Sequence, residues 1–229
     1  MAAKTLEQRV QRLEDVHEIA NLMGRYIYLH EVERDYEFPD TMYAQKTPGV
    51  SFEVASGGVF LGKEAIRRAV SNIPNVENKP KTSRKGAMFV HPLTTPVIEV
   101  AGDGKTAKGV WMAPGYEGGS PMGDEKPMGG FVYTKYGCDF AKENGKWKLW
   151  HYHVYRVFMT PWNVPYTDEW EKNVREKQPR PAGFEFPRSD LPTTYDHPYS
   201  LETSRELVPA PPEPYETFRE TFTYGPPEK

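Results

Sequence analysis

The chain has 229 residues, 38% of them hydrophobic, which is enough for one well-filled core and argues for one domain or a domain with a long appendage. A net charge of −3 and a pI near 6.1 offer no basic surface, which argues against nucleic acid and anionic membranes as partners. The lone Cys138 excludes an internal disulfide framework and a multi-cysteine metal site, and no apolar run is long enough to span a bilayer.

The N-terminal stretch MAAKTLEQRVQRLED is charged and helical in pattern, without the apolar segment of a signal peptide, so a cytoplasmic protein is expected. Apolar residues at Leu6, Val10, Leu13, Val16, Ile19, Leu22, Met23, Tyr26 and Ile27 follow the helical period, with a capping box at Thr5 and Gln8. Pro39 is expected to end the helix that runs through Tyr36. Alternation at Val50, Phe52 and Val54 predicts a strand, Gly57-Gly58 a turn into Val59–Leu61, and Gly62-Lys63-Glu64 the start of a short helix reaching Val70. A polar loop from Pro74 to Gly86 follows.

The next stretch reads as all β. Met88 to Val100 and Thr106 to Met112 flank Gly102-Asp103-Gly104, and Phe131 to Ala141 and Trp147 to Phe158 flank Glu143-Asn144-Gly145; both are hairpin signals. Pro114 to Gly130 reads as a Gly-rich loop carrying Tyr116 that covers a pocket. Helix, hairpin, helix and then long antiparallel strands define an α+β class. Beyond Thr160 the character changes, because 13 of the 22 prolines lie there. Trp162, Tyr166, Trp170, Phe184, Phe186, Tyr195, Tyr199, Tyr215 and Phe218 lie among them, and disordered tails are poor in such rings. The expectation is an extended arm over residues 161–229, packed on the 1–160 domain or on a neighbouring subunit.

Several groups are candidates for chemistry. Tyr26 and His30 share one helix face with the buried stripe, so they need partners or line a cavity. His91 opens the segment HPLTTPVIEV. In WHYHVYRVF, period-two alternation puts His151, His153 and Tyr155 on one face and Trp150, Tyr152, Val154 and Arg156 on the other. Either set lines the pocket, and a bulge admits both. Histidine titrates near working pH and suits general acid–base catalysis; the alternative for each one alone is an imidazole hydrogen-bonded within an aromatic-rich strand. No metal is expected from an i, i+2 histidine pair without a nearby carboxylate, and no organic cofactor, because phosphate-cradling and dinucleotide motifs are absent. The 14 Tyr, 11 Phe and 5 Trp suit an aromatic ligand or a subunit interface, so a homo-oligomer, dimer or trimer, is expected.

The segments EIANLMGRYIYLHE, GKEAIRRAV, HPLTTPVIEVAGDGKTAKGVW and NGKWKLWHYHVYR, in this order over roughly the first 160 residues, resemble the SnoaL-like branch of the nuclear transport factor 2 superfamily. The resemblance implies a cone: a strongly curved sheet closed by the long N-terminal helix, with the site inside. It also implies catalytic roles for Tyr26, Glu31, His91 and Arg156. The dehydratases of this branch carry a further acid on the strand after the histidine, whereas here that stretch reads AKGVW. The long Pro- and Tyr-rich extension and the HYH strand are similar to bacterial diarylpropane formaldehyde lyases of lignin catabolism. The expected function is therefore a cofactor-independent lyase on a hydroxylated aromatic compound. His91, Tyr26, Glu31, His151, His153 and Arg156 are the candidate catalytic groups, and His30, Tyr152, Trp111 and Tyr116 the candidate substrate contacts. A dehydratase, a ketosteroid-type isomerase or a non-catalytic binding protein are the alternatives.

Overall fold

The computed structural model describes residues 5–70, 86–119, 128–173 and 187–227. Most of the polar loop expected from Pro74, together with Phe184 and Phe186, lies outside them. Helix α1 (Leu6–Glu31) starts at the reciprocal Thr5/Gln8 capping box. Its first turns stand clear of the core, with Leu6 and Leu13 exposed, whereas Ile19, Met23 and Tyr26 are buried. The helix is anchored by polar contacts that only a partly dry surface rewards. Buried Asp15 accepts from Lys142 Nζ (2.6 Å) and Trp147 Nε1 (3.0 Å), and Arg12 pairs with Glu99.

The helix does not run on to Pro39. It ends at Glu31, Glu33 adopts a left-handed conformation (φ 58°), and the chain reverses into a 3-10 turn at Asp35–Glu37 and a short helix α2 (Phe38–Thr41). Pro39 sits in the first turn of α2, where its missing N–H costs nothing. After α2, Ala44 donates to the Leu149 carbonyl (2.7 Å) and Leu149 to the Met42 carbonyl (2.9 Å), which draws residues 42–44 onto the sheet.

Seven strands form one mixed sheet in the order β2-β1-β7-β6-β5-β3, with β4 also on β5. They are β1 (Ser51–Val54), β2 (Val59–Leu61), β3 (Met88–Val90), β4 (Thr94–Val100), β5 (Thr106–Gly119), β6 (Met128–Glu143) and β7 (Lys146–Pro161), with helix α3 (Gly62–Val70) after β2. The β1–β7 pair is parallel and the others are antiparallel. This is the curved α+β cone expected from the element order.

Three strand boundaries differ from the sequence reading. The expected strand Met88–Val100 is broken at His91-Pro92-Leu93, so His91 lies at a joint between β3 and β4. Pro114–Gly119 belongs to β5, because fourteen consecutive pairings with β6, from Thr106↔Ala141 to Gly119↔Met128, override the turn-like composition. In β7 the register slips between Asp139↔His151 and Phe140↔Leu149, leaving Trp150 as an inserted residue. Trp150 therefore turns toward His151 (4.5 Å, stacked) and Phe218, away from the Tyr152 face assigned to it by strict alternation.

The convex side of the sheet is covered by residues 187–227. Beneath them lies a row of buried ionisable groups. Lys108 Nζ donates to Asp139 (2.6 Å), and Asp139 also receives Thr223 Oγ1 (2.7 Å) and the Tyr224 N–H (2.8 Å). Phe218, Phe222, Tyr224 and Tyr215 surround the Lys108 ammonium at 4.3–5.9 Å from their ring centres. Two strands over from Asp139, across β7, buried Glu53 accepts from Thr193 Oγ1 (2.7 Å), the Thr194 N–H (2.5 Å) and Thr194 Oγ1. Gly225 meets His151 so closely that a Cβ there would lie 2.6 Å from the imidazole.

Candidate active site

The concave side is lined by aromatic rings that alternate inward from each element. Tyr26 of α1 stacks on Phe38 (3.9 Å) and Tyr152 (4.7 Å), and Tyr152 stacks on Phe52 (5.7 Å) and lies tilted against Tyr136 (5.3 Å). Burial pushes the phenols of Tyr26, Tyr136 and Tyr152 up, and hydrogen bonding to Tyr152 offsets this only in part for Tyr26 and Tyr136. All stay neutral at working pH and can donate.

A row of four ionisable groups crosses this interior at the end of α1. His30 Nδ1 lies 2.6 Å from Asp35 Oδ1, the His30 and His91 rings are 5.2 Å apart, and His91 Nε2 lies 3.3 Å from Glu117 Oε1. The reversal at Glu33 folds Asp35 back on the last helical turn. His91 is placed by the β3–β4 joint opposite Gly115, where a Cβ would stand 2.1 Å from the Val90 carbonyl oxygen. Burial opposes protonation of His30, but the Asp35 carboxylate, helped by Glu117 and Glu33, outweighs it and raises its pKa. His91 is almost fully buried and its Nδ1 has no hydrogen-bond partner.

The candidates fall into three groups. Tyr26, His30, His91, Tyr152 and Trp111 are on the concave side, with Trp111 edge-on to Phe140 (6.2 Å) and folded over Gly109. Arg156 issues from the same face as Tyr152, but its guanidinium is held by Glu171 (2.8 Å) of helix α4 (Trp170–Asn173).

The rest lie elsewhere. Glu31 is exposed, one residue past His30 and so rotated about 100° off the buried stripe. His151 and His153 face the convex side: His151 binds Asp139 (2.8 Å) and the Gly49 carbonyl, and His153 lies 3.3 Å from Glu53 and stacks on Tyr155 (3.7 Å). The side chain of Tyr116 is also convex, stacked on Trp162 (5.4 Å) beside an open groove of about 510 Å³ lined by Phe131, Phe158, Trp162 and Tyr166. Sequence reasoning missed Asp35, Glu117 and Tyr43. Glu117 had a signal: it is six residues beyond Trp111, hence on the same face once β5 is allowed to continue.

Among the described residues no group of three or more His, Cys, Asp and Glu is placed to hold a metal ion, and no helix is long and apolar enough to cross a membrane.

A curved sheet closed by a long helix, with its ionisable groups inside, is the architecture of the cone-shaped small-molecule folds. The SnoaL-like domain family matches residues 11–153, more than half of the chain, and the protein belongs to that family. Three solved structures show the same fold. A Novosphingobium aromaticivorans protein provisionally named scytalone dehydratase is 14% identical, with a TM-score of 0.52 over 70% of this chain and 94% of that one. The hexachlorocyclohexane dehydrochlorinase LinA-type3 of Novosphingobium barchaimii is 15% identical, with a TM-score of 0.51 over 69% and 99%. A further LinA structure is 12% identical, with a TM-score of 0.52 over 69% and 96%. No curated protein matches by sequence.

Proposed function

We propose that this protein is a cofactor-independent lyase that eliminates water from a hydroxylated aromatic compound, with lignin-derived phenolic dimers as the substrate class. The observation that carries this reading is the Asp35–His30–His91–Glu117 row: two imidazoles 5.2 Å apart, each backed by its own carboxylate, among neutral phenols. An elimination needs one group to take a proton and another to give one. In the tautomer with its proton on Nε2, toward Glu117, His91 holds a lone pair on the unpartnered Nδ1 and acts as the base. His30, kept protonated by Asp35, is the acid.

The base removes the phenolic proton, the benzylic C–O bond breaks, and the hydroxyl leaves with the His30 proton as water. The electron pair of the broken O–H bond becomes the carbonyl of a quinone methide. Where the next carbon bears a hydroxymethyl group, the now neutral His30 takes its O–H proton, the carbon–carbon bond breaks to release formaldehyde, and that bond's electrons form the alkene and return the quinone methide to a phenolate. Otherwise a C–H proton is lost with the same return of electrons. The names of the solved neighbours support an elimination, since two are named for the loss of water or of hydrogen chloride.

The test is turnover of a panel of phenolic dimers, with water-loss products and formaldehyde measured separately. His91→Ala is expected to lower turnover by roughly 10²–10⁴-fold while remaining folded. Near-normal turnover in a well-folded variant removes His91 from the mechanism. Tight binding of the panel by the native protein without conversion makes it a binding protein.

A further inference from the structure

Buried polar side-chain atoms without partners are few in folded proteins, and each carries a cost that function has to explain. Among the described residues, two such atoms belong to the concave side: His91 Nδ1 and the Tyr43 hydroxyl. The first is part of the acid–base row; the second is not used by it. Tyr43 is fully buried, and its main chain is clamped between the two hydrogen bonds that join Met42 and Ala44 to Leu149. Its ring is packed with Tyr26, Phe38 and Tyr152 in the core and meets no water. Its electrostatic neighbours are Tyr26, Tyr152, Cys138 and Asp35, which places it in the same interior as the row. Among the described residues Tyr43 carries the one interior hydroxyl that is buried without a hydrogen-bond partner, so it is left for a molecule that enters.

We propose that the Tyr43 hydroxyl is the recognition group for a free phenol on the ligand, so that the site selects a phenol over the corresponding methyl ether. This rests on reading the cone interior as the ligand site. His30, backed by Asp35, meets the leaving benzylic hydroxyl, and the Tyr43 hydroxyl holds the phenolic oxygen whose proton His91 takes. A neutral tyrosine hydroxyl accepts from a phenol O–H and donates to a phenolate, so it serves that oxygen before and after the proton leaves. Burial holds Tyr43 neutral by raising its pKa well above the ordinary value. A methyl ether lacks the proton and brings a methyl group into a closely packed interior.

The experiment uses Tyr43→Phe with two readouts that need no turnover: thermal unfolding, and calorimetric binding of 4-hydroxybenzyl alcohol and 4-methoxybenzyl alcohol. The native protein is expected to bind the phenol roughly 3- to 10-fold more tightly, the worth of one neutral hydrogen bond, and Tyr43→Phe to abolish that ratio. The ligand-free variant should melt at the same temperature or higher, because an unsatisfied hydroxyl has been removed. A ratio preserved in the variant, or no preference for the phenol in the native protein, overturns the proposal. So does a variant that melts well below the native protein, since its hydroxyl must then have had a structural partner. Failure of the lyase reading appears instead in the His91→Ala turnover, which these measurements do not touch.

Discussion

Two carboxylates near the end of α1 separate the site from its surroundings at the scale of single residues. Asp35 touches His30 and Glu31 is exposed. Asp35→Asn is expected to lower turnover at least tenfold and to shift the alkaline limb of the pH–rate profile downward, because His30 loses the charge that keeps it protonated. Glu31→Gln is expected to leave both unchanged; kinetics across pH 5–9 on the two variants check this. The same pair has a stability signature. The His30 pKa is raised on folding, so the pair's contribution is fully present below the unfolded value of about 6.5 and is lost as pH rises through the higher folded value.

Helix phase made Tyr26 and His30 legible in the sequence as an inward pair. The partner acid was not legible, because it depends on a left-handed conformation at Glu33, a residue type that gives no turn signal. Nor could Tyr43 be recognised as a residue of the interior, since a main-chain bridge to Leu149, more than a hundred residues away, puts it there.

At the scale of elements, the position of His91 depends on a strand joint and on the glycine opposite it. An alanine at Gly115 would run into the Val90 main chain, which has no flexible end to move aside. Gly115→Ala is therefore expected to push the β3–β4 joint off β5 and to lower turnover by one to two orders of magnitude, with a loss of stability of about 1–3 kcal/mol. A variant with native turnover and melting temperature would show that the joint does not depend on this close approach.

The elements themselves were largely readable: the capping box, the two hairpin turns and the α3 start all lie where their residues predict. Their interruptions were not. Strict alternation assigned Trp150 to the Tyr152 face, and only the pairing register with β6 reveals the inserted residue that turns it around. The Gly and Pro content of residues 114–119 reads locally as a loop, yet β6 supplies a partner for every residue. Had the strand been read to its end, Glu117 would have emerged as an acid on the same face of β5 as Trp111.

Over the whole molecule, the candidate histidines of the last strand, His151 and His153, belong to the convex face, under residues 187–227. Burial lowers the His153 pKa to about 4, and Glu53 and the Tyr224 main chain offset this only partly. The folded state thus keeps His153 neutral while the unfolded chain protonates it near 6.5. Between those values the unfolded state binds more protons, so stability falls as pH drops from about 6.5 to 4, by roughly 3 kcal/mol from this group. His153→Gln is expected to flatten that part of the curve, as measured by denaturant unfolding at pH 7 and 4.5. An equally steep fall in the variant would assign the acid sensitivity to other groups. The cone was legible because its signals are local and ordered along the chain. The convex network was not, because Glu53, Lys108, Asp139 and His153 come from four strands and meet only when the sheet is built.

The groups chosen for that buried face bear on the order in which the molecule assembles. Residues 187–227 are synthesised after every strand they cover, and the surface beneath them carries ammonium, carboxylate and imidazole groups. Until it is covered, that surface is well hydrated, so a nascent sheet can wait in water without presenting a sticky outer face. An apolar convex face would have to be covered at once or aggregate. A charged one is costly only after it has been closed, when Asp139 and Glu53 receive hydrogen bonds from the incoming chain.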